Sequence, residues 1–352
     1  MLSDYQNGEG KLRFPSNSDA YEFKETNMAE TIRWGILGPG NIARKMATAL
    51  SSLPEAQLTA VGSRDIKKAE AFGNDFNIPN RYGSYEELAA DPNVDIIYVA
   101  TPHPFHKDNT LLALNGGKAV LCEKPFAVNA KDAREMVKTA RAKNLFLMEA
   151  MWSRFLPNLQ TCRQALEAGK IGKIRMLQAH FGFRAGWDTE GRLLNPKLAG
   201  GGLLDVGVYT LSFASRILGT PTQISSLAHI GKTGVDEQCA VLLGYKGGEL
   251  AILSSAVRTT TTHEAIIMGE DGMIRMPNFW NGSTVIVRSG EEEEIIESKI
   301  EGNGFEYQAQ ECMNCIKAGK TESSVLPLDE TLSIMTTMDE IRGQWGLKYP
   351  ME

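Results

Sequence analysis

The sequence predicts an α/β protein: a doubly wound parallel sheet, then a second α/β domain on an open, mostly antiparallel sheet. Three observations carry this. From Thr31 to about Ala150, short apolar runs alternate with helical patterns, the rhythm of βαβ units. A glycine-rich turn, Gly38-Pro39-Gly40, stands where the first strand hands over to the first helix. Beyond Ala150 the strands lengthen, and tight turns such as Lys246-Gly247-Gly248 and Glu270-Asp271-Gly272 join them, a sign of antiparallel pairing.

The bulk properties agree. At roughly 100–200 residues per domain, 352 residues suggest two domains. An apolar content of 42% and a charged content of 23% suit a soluble globular chain. A net charge of -6 supplies no basic field for nucleic acid. No apolar run approaches the roughly 18 residues that span a membrane. Five cysteines, sparse and odd in number, fit a reducing cytosol better than a disulfide framework. Cys312 and Cys315 have CxxC spacing but lie in a helical pattern with no second ligand pair nearby, so no metal site is expected.

Residues 1–27 are polar and aperiodic and read as a flexible extension, with Met28 as a natural start for the folded chain. Residues 28–150 then form the first domain. "IRWGILG" is a strand, and "NIARKMATALSSL" a helix capped by Asn41. "QLTAVGS" is a strand and "IKKAEAFGNDF" a helix. "SYEELAADPN" is a short helix opened by a Ser84–Glu87 capping box. "VDIIYVATP" is a strand, "FHKDNTLLALNGG" a glycine-closed helix and "AVLCEKP" a strand. "NAKDAREMVKTARAKN" is a helix and "LFLMEA" the last strand of this half. Residues 151–352 form the second domain: a helix through "LPNLQTCRQALEAG", seven strands between Ile174 and Ser289 interrupted by the helix "YTLSFASRILG", and two closing helices. The last of these is expected to reach back to the first domain. The acidic run Glu291 to Glu294 reads as a solvated strand end or hairpin.

The glycine turn reads as a dinucleotide fingerprint of Rossmann type, GxGxxA over Gly38, Gly40 and Ala43. Gly38 permits the tight turn, Gly40 lets a pyrophosphate approach the backbone, and Ala43 packs helix on strand. The N-terminal amides at Asn41 and Ile42 face the phosphates. The second strand ends in Ser63-Arg64-Asp65, where an NAD enzyme usually carries an acid; Lys68 follows one turn later. Ser63, Arg64 and Lys68 suit a ribose phosphate, so NADP is expected over NAD. Asp65 leaves two alternatives: turning inward to favour NAD, or capping the next helix beside a solvated Arg64.

At the end of the buried run Ala119 to Cys122 stand Glu123-Lys124-Pro125, an acid and a cation that such a strand end does not need for stability. With the glycine turn, this EKP triplet and "GGGLLDVGVY" (200–209), the chain resembles the Gfo/Idh/MocA oxidoreductases. Within that family, "HPFHKD", "GKAVLCEKP" and "FLMEAMWSRFLP" resemble the dihydrodiol dehydrogenase and D-xylose dehydrogenase branch. The resemblance runs from about Met28 to the C-terminus. It implies dimers or higher homo-oligomers formed through the open sheet, and a small hydroxylated substrate.

It also assigns roles. Strand ends at the carboxyl edge of a parallel sheet are where ligands bind. There Lys124 stands beside the nicotinamide, with Pro125 fixing its turn and Glu123 balancing charge. Asp205 and Tyr209 are four apart, hence on one face of a helix. Tyr209, where many relatives have histidine, accepts or donates the hydroxyl proton, its pKa lowered by Lys124. Asp205 binds a neighbouring hydroxyl or orients Lys124. Thr101, His103 and His106 edge the cofactor. Trp152, Arg154 and Phe181 line the substrate, with an aromatic core as the alternative for Phe181 and its strand neighbour Phe183. His180, His229 and His263 read as structural.

Overall fold

The computed structural model describes residues 31–352, so the expectations for residues 1–27 and for Met28 lie outside the described residues. The first half builds β1 (Ile32–Leu37), α1 (Asn41–Ser52), β2 (Ala56–Gly62), α2 (Ile66–Asp75), β3 (Asn80–Tyr82) and α3 (Tyr85–Ala90). It continues through β4 (Ile96–Val99), α4 (His106–Asn115), β5 (Ala119–Glu123), α5 (Ala130–Lys143) and β6 (Leu147–Ala150). The strands are all parallel, in the order β3-β2-β1-β4-β5-β6. β4 and β5 are buried on both faces, which is why they read as unbroken apolar runs. The order reverses between β1 and β4, so their carboxyl ends flank the crevice where such sheets bind ligands.

Local chemistry sets the helix ends. The Ser84 hydroxyl caps α3 through the Glu87 amide, and Glu87 returns the bond. The Asn129 side chain accepts from the Asp132 amide at 2.9 Å and opens α5, which closes on Asn144 in the left-handed region. Asn41 is not a cap. Gly40 occupies the cap position, and Asn41 is the first helical residue, its side chain exposed.

The second half contains α6 (Pro157–Glu167), β7 (Ile174–Gly182), α7 (Val208–Leu218), β8 (Gln223–Ile230), β9 (Asp236–Gly244) and β10 (Leu250–Ala256). Then follow β11 (Ala265–Gly269), β12 (Gly272–Met276), β13 (Thr284–Ser289), β14 (Glu292–Glu297), α8 (Phe305–Lys317) and α9 (Leu328–Trp345). The strands make an open sheet, β14-β13-β12-β11-β7-β10-β9-β8, antiparallel except between β7 and β10. Of the acidic run, Glu291 lies in the turn and Glu292 to Glu294 open β14, all four exposed, in a hairpin with β13.

Along β7, Leu177, Ala179 and Phe181 turn into the core beneath α7, while Met176, Gln178 and His180 face outward. That outer face carries exposed Leu227, Leu242, Leu250 and Ile295. α1 packs on α8, and α9 lies against α5 and β6 as well as α7 and β8. Arg342 of α9 donates to the Val128 carbonyl at 3.2 Å, and Asp339 accepts from the Ala130 amide at 2.8 Å. Among the described residues, no helix is long and apolar enough to cross a membrane.

Candidate active site

The glycine turn lies at the end of β1. Gly38 has φ +92°, and a Cβ there would press on Thr101 at 3.1 Å and on the Ala100 carbonyl at 3.3 Å. Both the angle and the crowding demand glycine. At Gly40 a Cβ would meet only open space. No side chain caps α1 and no acid stands in its first turn, so its first amides and its positive end are uncommitted. The Asn41 and Ile42 amides are placed where they suit the pyrophosphate of a dinucleotide, whereas the Gly40 amide already donates to the Gly38 carbonyl at 2.9 Å.

At the end of β2, the Ser63 hydroxyl accepts from the Asp65 amide at 3.2 Å. The Asp65 carboxylate accepts from the Lys67 amide at 3.1 Å and caps α2. It is therefore occupied by its own helix. Arg64 is exposed, with its guanidinium 5.5 Å from the Phe105 ring centre. Lys68 stands exposed one turn along α2.

At the end of β5 the turn is held from three directions. One Glu123 oxygen accepts from the Lys124 amide at 3.1 Å, and the other is bonded to the buried Tyr98 hydroxyl. The Phe126 amide donates to Glu149 at 3.1 Å. The Lys124–Pro125 peptide is cis. His106 braces the third side: Nδ1 lies 2.8 Å from the Pro125 carbonyl and Nε2 2.7 Å from the Thr101 carbonyl. This corrects the expectation that His106 touches the cofactor. Its ring is fully buried and both nitrogens are spent on backbone. Thr101 likewise accepts from Asn109 at 3.1 Å and is buried. His103 is buried with Nδ1 3.1 Å from the Ala199 carbonyl. Burial, then neighbouring His106, push its pKa down to about 3, so it is neutral near pH 7.

The facing element is Gly200–Tyr209. Residues Leu203–Gly207 form one turn of π-helix and continue into α7. A π-turn inside an α-helix is rare and is found mostly at functional sites. Its start is pinned: the Asp236 carboxylate accepts from the Leu203 amide at 2.6 Å, and the Tyr349 hydroxyl donates to the Gly200 carbonyl at 2.6 Å. Gly201 has φ +118°, and a Cβ there would come within 2.1 Å of an Asp236 oxygen.

Lys124, Asp205 and Tyr209 meet across the gap between the two sheets. The Lys124 ammonium donates to the Asp205 carbonyl at 2.8 Å, lies 3.5 Å from its carboxylate and stands 5.0 Å from the Tyr209 ring centre. Burial works against the Lys124 charge, but Tyr209, Asp205 and Glu123 outweigh it and raise the ammonium pKa. Burial would push Asp205 up as well; Lys124 and Arg192 reverse this and hold its carboxyl at about 2. Tyr209 departs from expectation. Lys124 does pull its phenol down, but burial outweighs it and the pKa is raised. Tyr209 therefore rests as a neutral phenol.

The Trp152 indole N–H donates to the Tyr209 oxygen at 3.0 Å. Trp152 stacks on Phe305, centroids 5.1 Å apart. Phe181 meets Tyr209 edge-on at 5.3 Å and stacks on Trp280 at 4.6 Å. His263, expected to be structural, donates from Nε2 to the Gly182 carbonyl at 2.7 Å and packs against Phe181 at 5.0 Å. Sequence reasoning missed Trp280, which lies in a turn after β12 and carries no local signal.

Arg154 is a correction. It was expected to line the substrate, yet its side chain is buried away from Tyr209 and forks onto Glu330 at 2.9 and 3.0 Å. It also donates to the Ser212 and Val325 carbonyls. Both of its terminal nitrogens are thus committed to protein acceptors. Cys312 and Cys315 are buried on α8, their thiols pushed up by burial, Cys315 to about 12. Among the described residues, no three His, Cys, Asp or Glu side chains converge as a metal site would require.

Comparison with known proteins agrees with this geometry. Residues 32–151 match the family described as "Oxidoreductase family, NAD-binding Rossmann fold", and residues 159–275 match the "GFO/IDH/MocA C-terminal domain". The trans-1,2-dihydrobenzene-1,2-diol dehydrogenase of Mus musculus is 42% identical over 332 residues, covering 91% of this chain and 99% of its own. The Homo sapiens protein of that name is 37% identical, with the same two coverages. Among solved structures, an aldose-aldose oxidoreductase from Caulobacter crescentus superimposes with a TM-score of 0.83 at 25% identity, covering 90% of this chain and 98% of that one. A 3-ketoreductase from Actinomadura kijaniata, in complex with NADP and TDP-benzene, gives 0.82 at 25% identity, covering 89% and 97%.

Proposed function

The chain belongs to the Gfo/Idh/MocA family of NAD(P)-binding oxidoreductases, and from that premise we propose that it is an NADP-dependent dehydrogenase of a trans-dihydrodiol or a D-xylose-like cyclic sugar. The observation that carries this reading is the meeting of Lys124, Asp205 and Tyr209 beside Trp152, next to a cradle that suits a dinucleotide.

When bound at this sheet edge, the nicotinamide accepts or returns the hydride. The protein's own residues manage the oxygen and its proton. In the oxidising direction Tyr209 first releases its own proton to solvent and then, as phenolate, takes the hydroxyl proton as the carbon–hydrogen bond breaks; in the reducing direction the resting phenol gives its proton to the substrate oxygen. Lys124 holds charge against the oxygen as it becomes more negative, a preorganised cation where charge develops. Asp205, ionised throughout the neutral range, orients Lys124 and accepts from a second substrate hydroxyl. Trp152, Phe181 and Trp280 offer aromatic faces to a ring substrate.

Three further features complete the reading. Arg64, with Ser63 and Lys68, receives the ribose phosphate of NADP, since Asp65 is committed to capping α2. The apolar outer face of the second sheet, with Leu227, Leu242 and Leu250, pairs with a second copy of the chain. Five free cysteines suit a reducing compartment such as the cytosol.

One observation supports a second reading, a reductase of a keto-sugar. The raised phenol pKa of Tyr209 makes it a resting acid, ready to donate to a developing alkoxide.

The test is nicotinamide absorbance with NADP and NAD side by side, over pentoses, hexoses, arene dihydrodiols and, in reverse, keto-sugars. Turnover with NADP on a diol or pentose, lost in Tyr209→Phe, is the expected result. Turnover only on keto-sugars selects the reductase reading, and no turnover in either direction overturns both.

A further inference from the structure

The Asp205 carboxylate has two cationic partners of opposite character. Lys124 is held in the interior, with 14% of its side chain exposed. Arg192 approaches from outside, with 57% of its side chain exposed, yet its Nη1 lies 2.5 Å from the same oxygen of the Asp205 carboxylate, a side chain only 3% exposed. Arg192 belongs to the segment between β7 and the π-turn, and nothing in the sequence singles it out.

The backbone around Arg192 is fixed. The Gly191 carbonyl accepts from the Leu194 and Asn195 amides at 3.2 and 3.1 Å, and the Leu193 carbonyl accepts from the Gly201 amide at 2.9 Å. Asp188 accepts from the Gly191 amide at 3.0 Å. The turn is thus stapled to the glycines that open the catalytic element. The head is not fixed in this way. A guanidinium carries five N–H donors, and among the described residues the Arg192 side chain makes one hydrogen bond, to Asp205. A long side chain on a rigid base can exchange one acceptor for another without moving the loop.

Charge points the same way. Lys124 and Arg192 are two cations sharing one ionised carboxylate. An oxygen that enters beside Asp205 finds an acceptor for its proton and a donor for its lone pair on adjacent atoms. A hydroxyl has both needs, and a C–H has neither. The reacting oxygen is already assigned to Tyr209 and Lys124. The oxygen that meets Asp205 and Arg192 at the edge of their 2.5 Å contact is therefore a second one, on the neighbouring carbon.

We infer that Arg192 is a specificity-determining residue that, together with Asp205, reads a hydroxyl vicinal to the reacting carbon. The inference rests on the dehydrogenase reading above, whose substrates are vicinally oxygenated, and assigns to Arg192 the reading of their second hydroxyl.

The test compares two substrate pairs with NADP: D-xylose against its deoxy analogue lacking the neighbouring hydroxyl, and trans-cyclohexanediol against cyclohexanol. Wild-type protein, Arg192→Ala and Arg192→Lys are measured, with cofactor affinity followed by fluorescence to establish an intact fold. The expected result is a wild-type preference for the vicinal hydroxyl that shrinks roughly 10- to 100-fold in Arg192→Ala, the loss of one charge-assisted hydrogen bond. The change falls on KM more than kcat, and Arg192→Lys recovers part of it, because an ammonium restores charge without the fork. If the preference survives in Arg192→Ala while kcat drops alike on both members of each pair, Arg192 only sets the charge of Asp205 and the inference is wrong. A wild-type protein that turns over both members equally also overturns it, leaving the dehydrogenase reading standing. Absence of turnover in the wild type on every substrate removes that reading and this inference with it.

Discussion

The Trp152 indole nitrogen lies 3.0 Å from the Tyr209 oxygen. An indole N–H can only donate, so the phenol must accept this bond. One Tyr209 lone pair is thereby fixed, and its own proton is left to point elsewhere. The side chain proposed to exchange a proton with substrate is oriented by a neighbour that cannot compete for that proton.

Tyr209→Phe should keep the ring packing against Phe181 and lose the proton carrier. Turnover is expected to fall by roughly 10²- to 10⁴-fold, with cofactor affinity by fluorescence titration unchanged. Trp152→Phe should be milder, about 3- to 30-fold in kcat, the size of one lost hydrogen bond. Equal losses in both variants would show that Trp152 does more than orient.

Lys124→Met should lower kcat by roughly 10²-fold or more, because the preorganised cation at the reacting oxygen is gone. It should also alter the pH profile. Asp205 sits at about 2 because Lys124 and Arg192 outweigh its burial. With Lys124 removed, its carboxyl pKa rises, and the acid limb of residual activity moves to higher pH. An acid limb that stays in place would mean that Asp205 ionisation does not govern the rate.

Arg64→Gln tests the cofactor reading. The affinity for NADP should drop about 10- to 100-fold, a lost charge-assisted contact to phosphate, while NAD binding changes little. Isothermal titration with both nucleotides separates the two. Equal weakening would mean that Arg64 contributes through its stacking on Phe105 rather than by reading the phosphate.

Arg154→Ala should unfold more easily rather than bind substrate less well. Its fork neutralises Glu330 in a largely buried setting, and stranding that carboxylate costs about 3–5 kcal/mol. Denaturant melts measure the loss, and KM values of the folded protein should be near those of the wild type.

The share of stability contributed by Asp236 and Glu149 should fall as pH rises from about 4 to about 7, against the opposite slope from His103 and His106, whose pKa values are lowered in the folded protein. Burial raises the Asp236 and Glu149 carboxyls to about 7 in the folded protein, above the unfolded values near 4. In that window the native state holds protons that the unfolded chain releases, so stability present at acid pH is lost as pH climbs through the folded pKa. Asp236→Asn should flatten part of this slope in melting curves recorded across the range.

What the sequence made legible was chemistry packed into short spans. Gly38, Gly40 and Ala43 are a local pattern, and so are Glu123-Lys124-Pro125 and the spacing of Asp205 and Tyr209. What stayed hidden depends on partners far along the chain. Trp152 and Arg154 are two residues apart in "AMWSRF", yet one faces Tyr209 and the other Glu330. That division depends on α9, which arrives much later. Trp280 and Arg192 reach the site from irregular turns without periodicity. Tyr209 was misjudged for a related reason: its nearest cation is visible as a motif, whereas the burial that outweighs that cation is a property of the whole fold.

The π-turn at Leu203–Gly207 can be viewed as a helix that kept one residue too many. Removing a residue there would let the stretch relax into regular α-helix, improving its own hydrogen bonding. Everything upstream would then rotate by about 100°, the angle of one residue in an α-helix. Asp205 would leave Lys124 and Arg192, and Leu203 would leave Asp236. A single-codon deletion in this stretch would thus trade an aimed carboxylate for a better helix. Length variation that surface loops absorb freely is closed to these five positions.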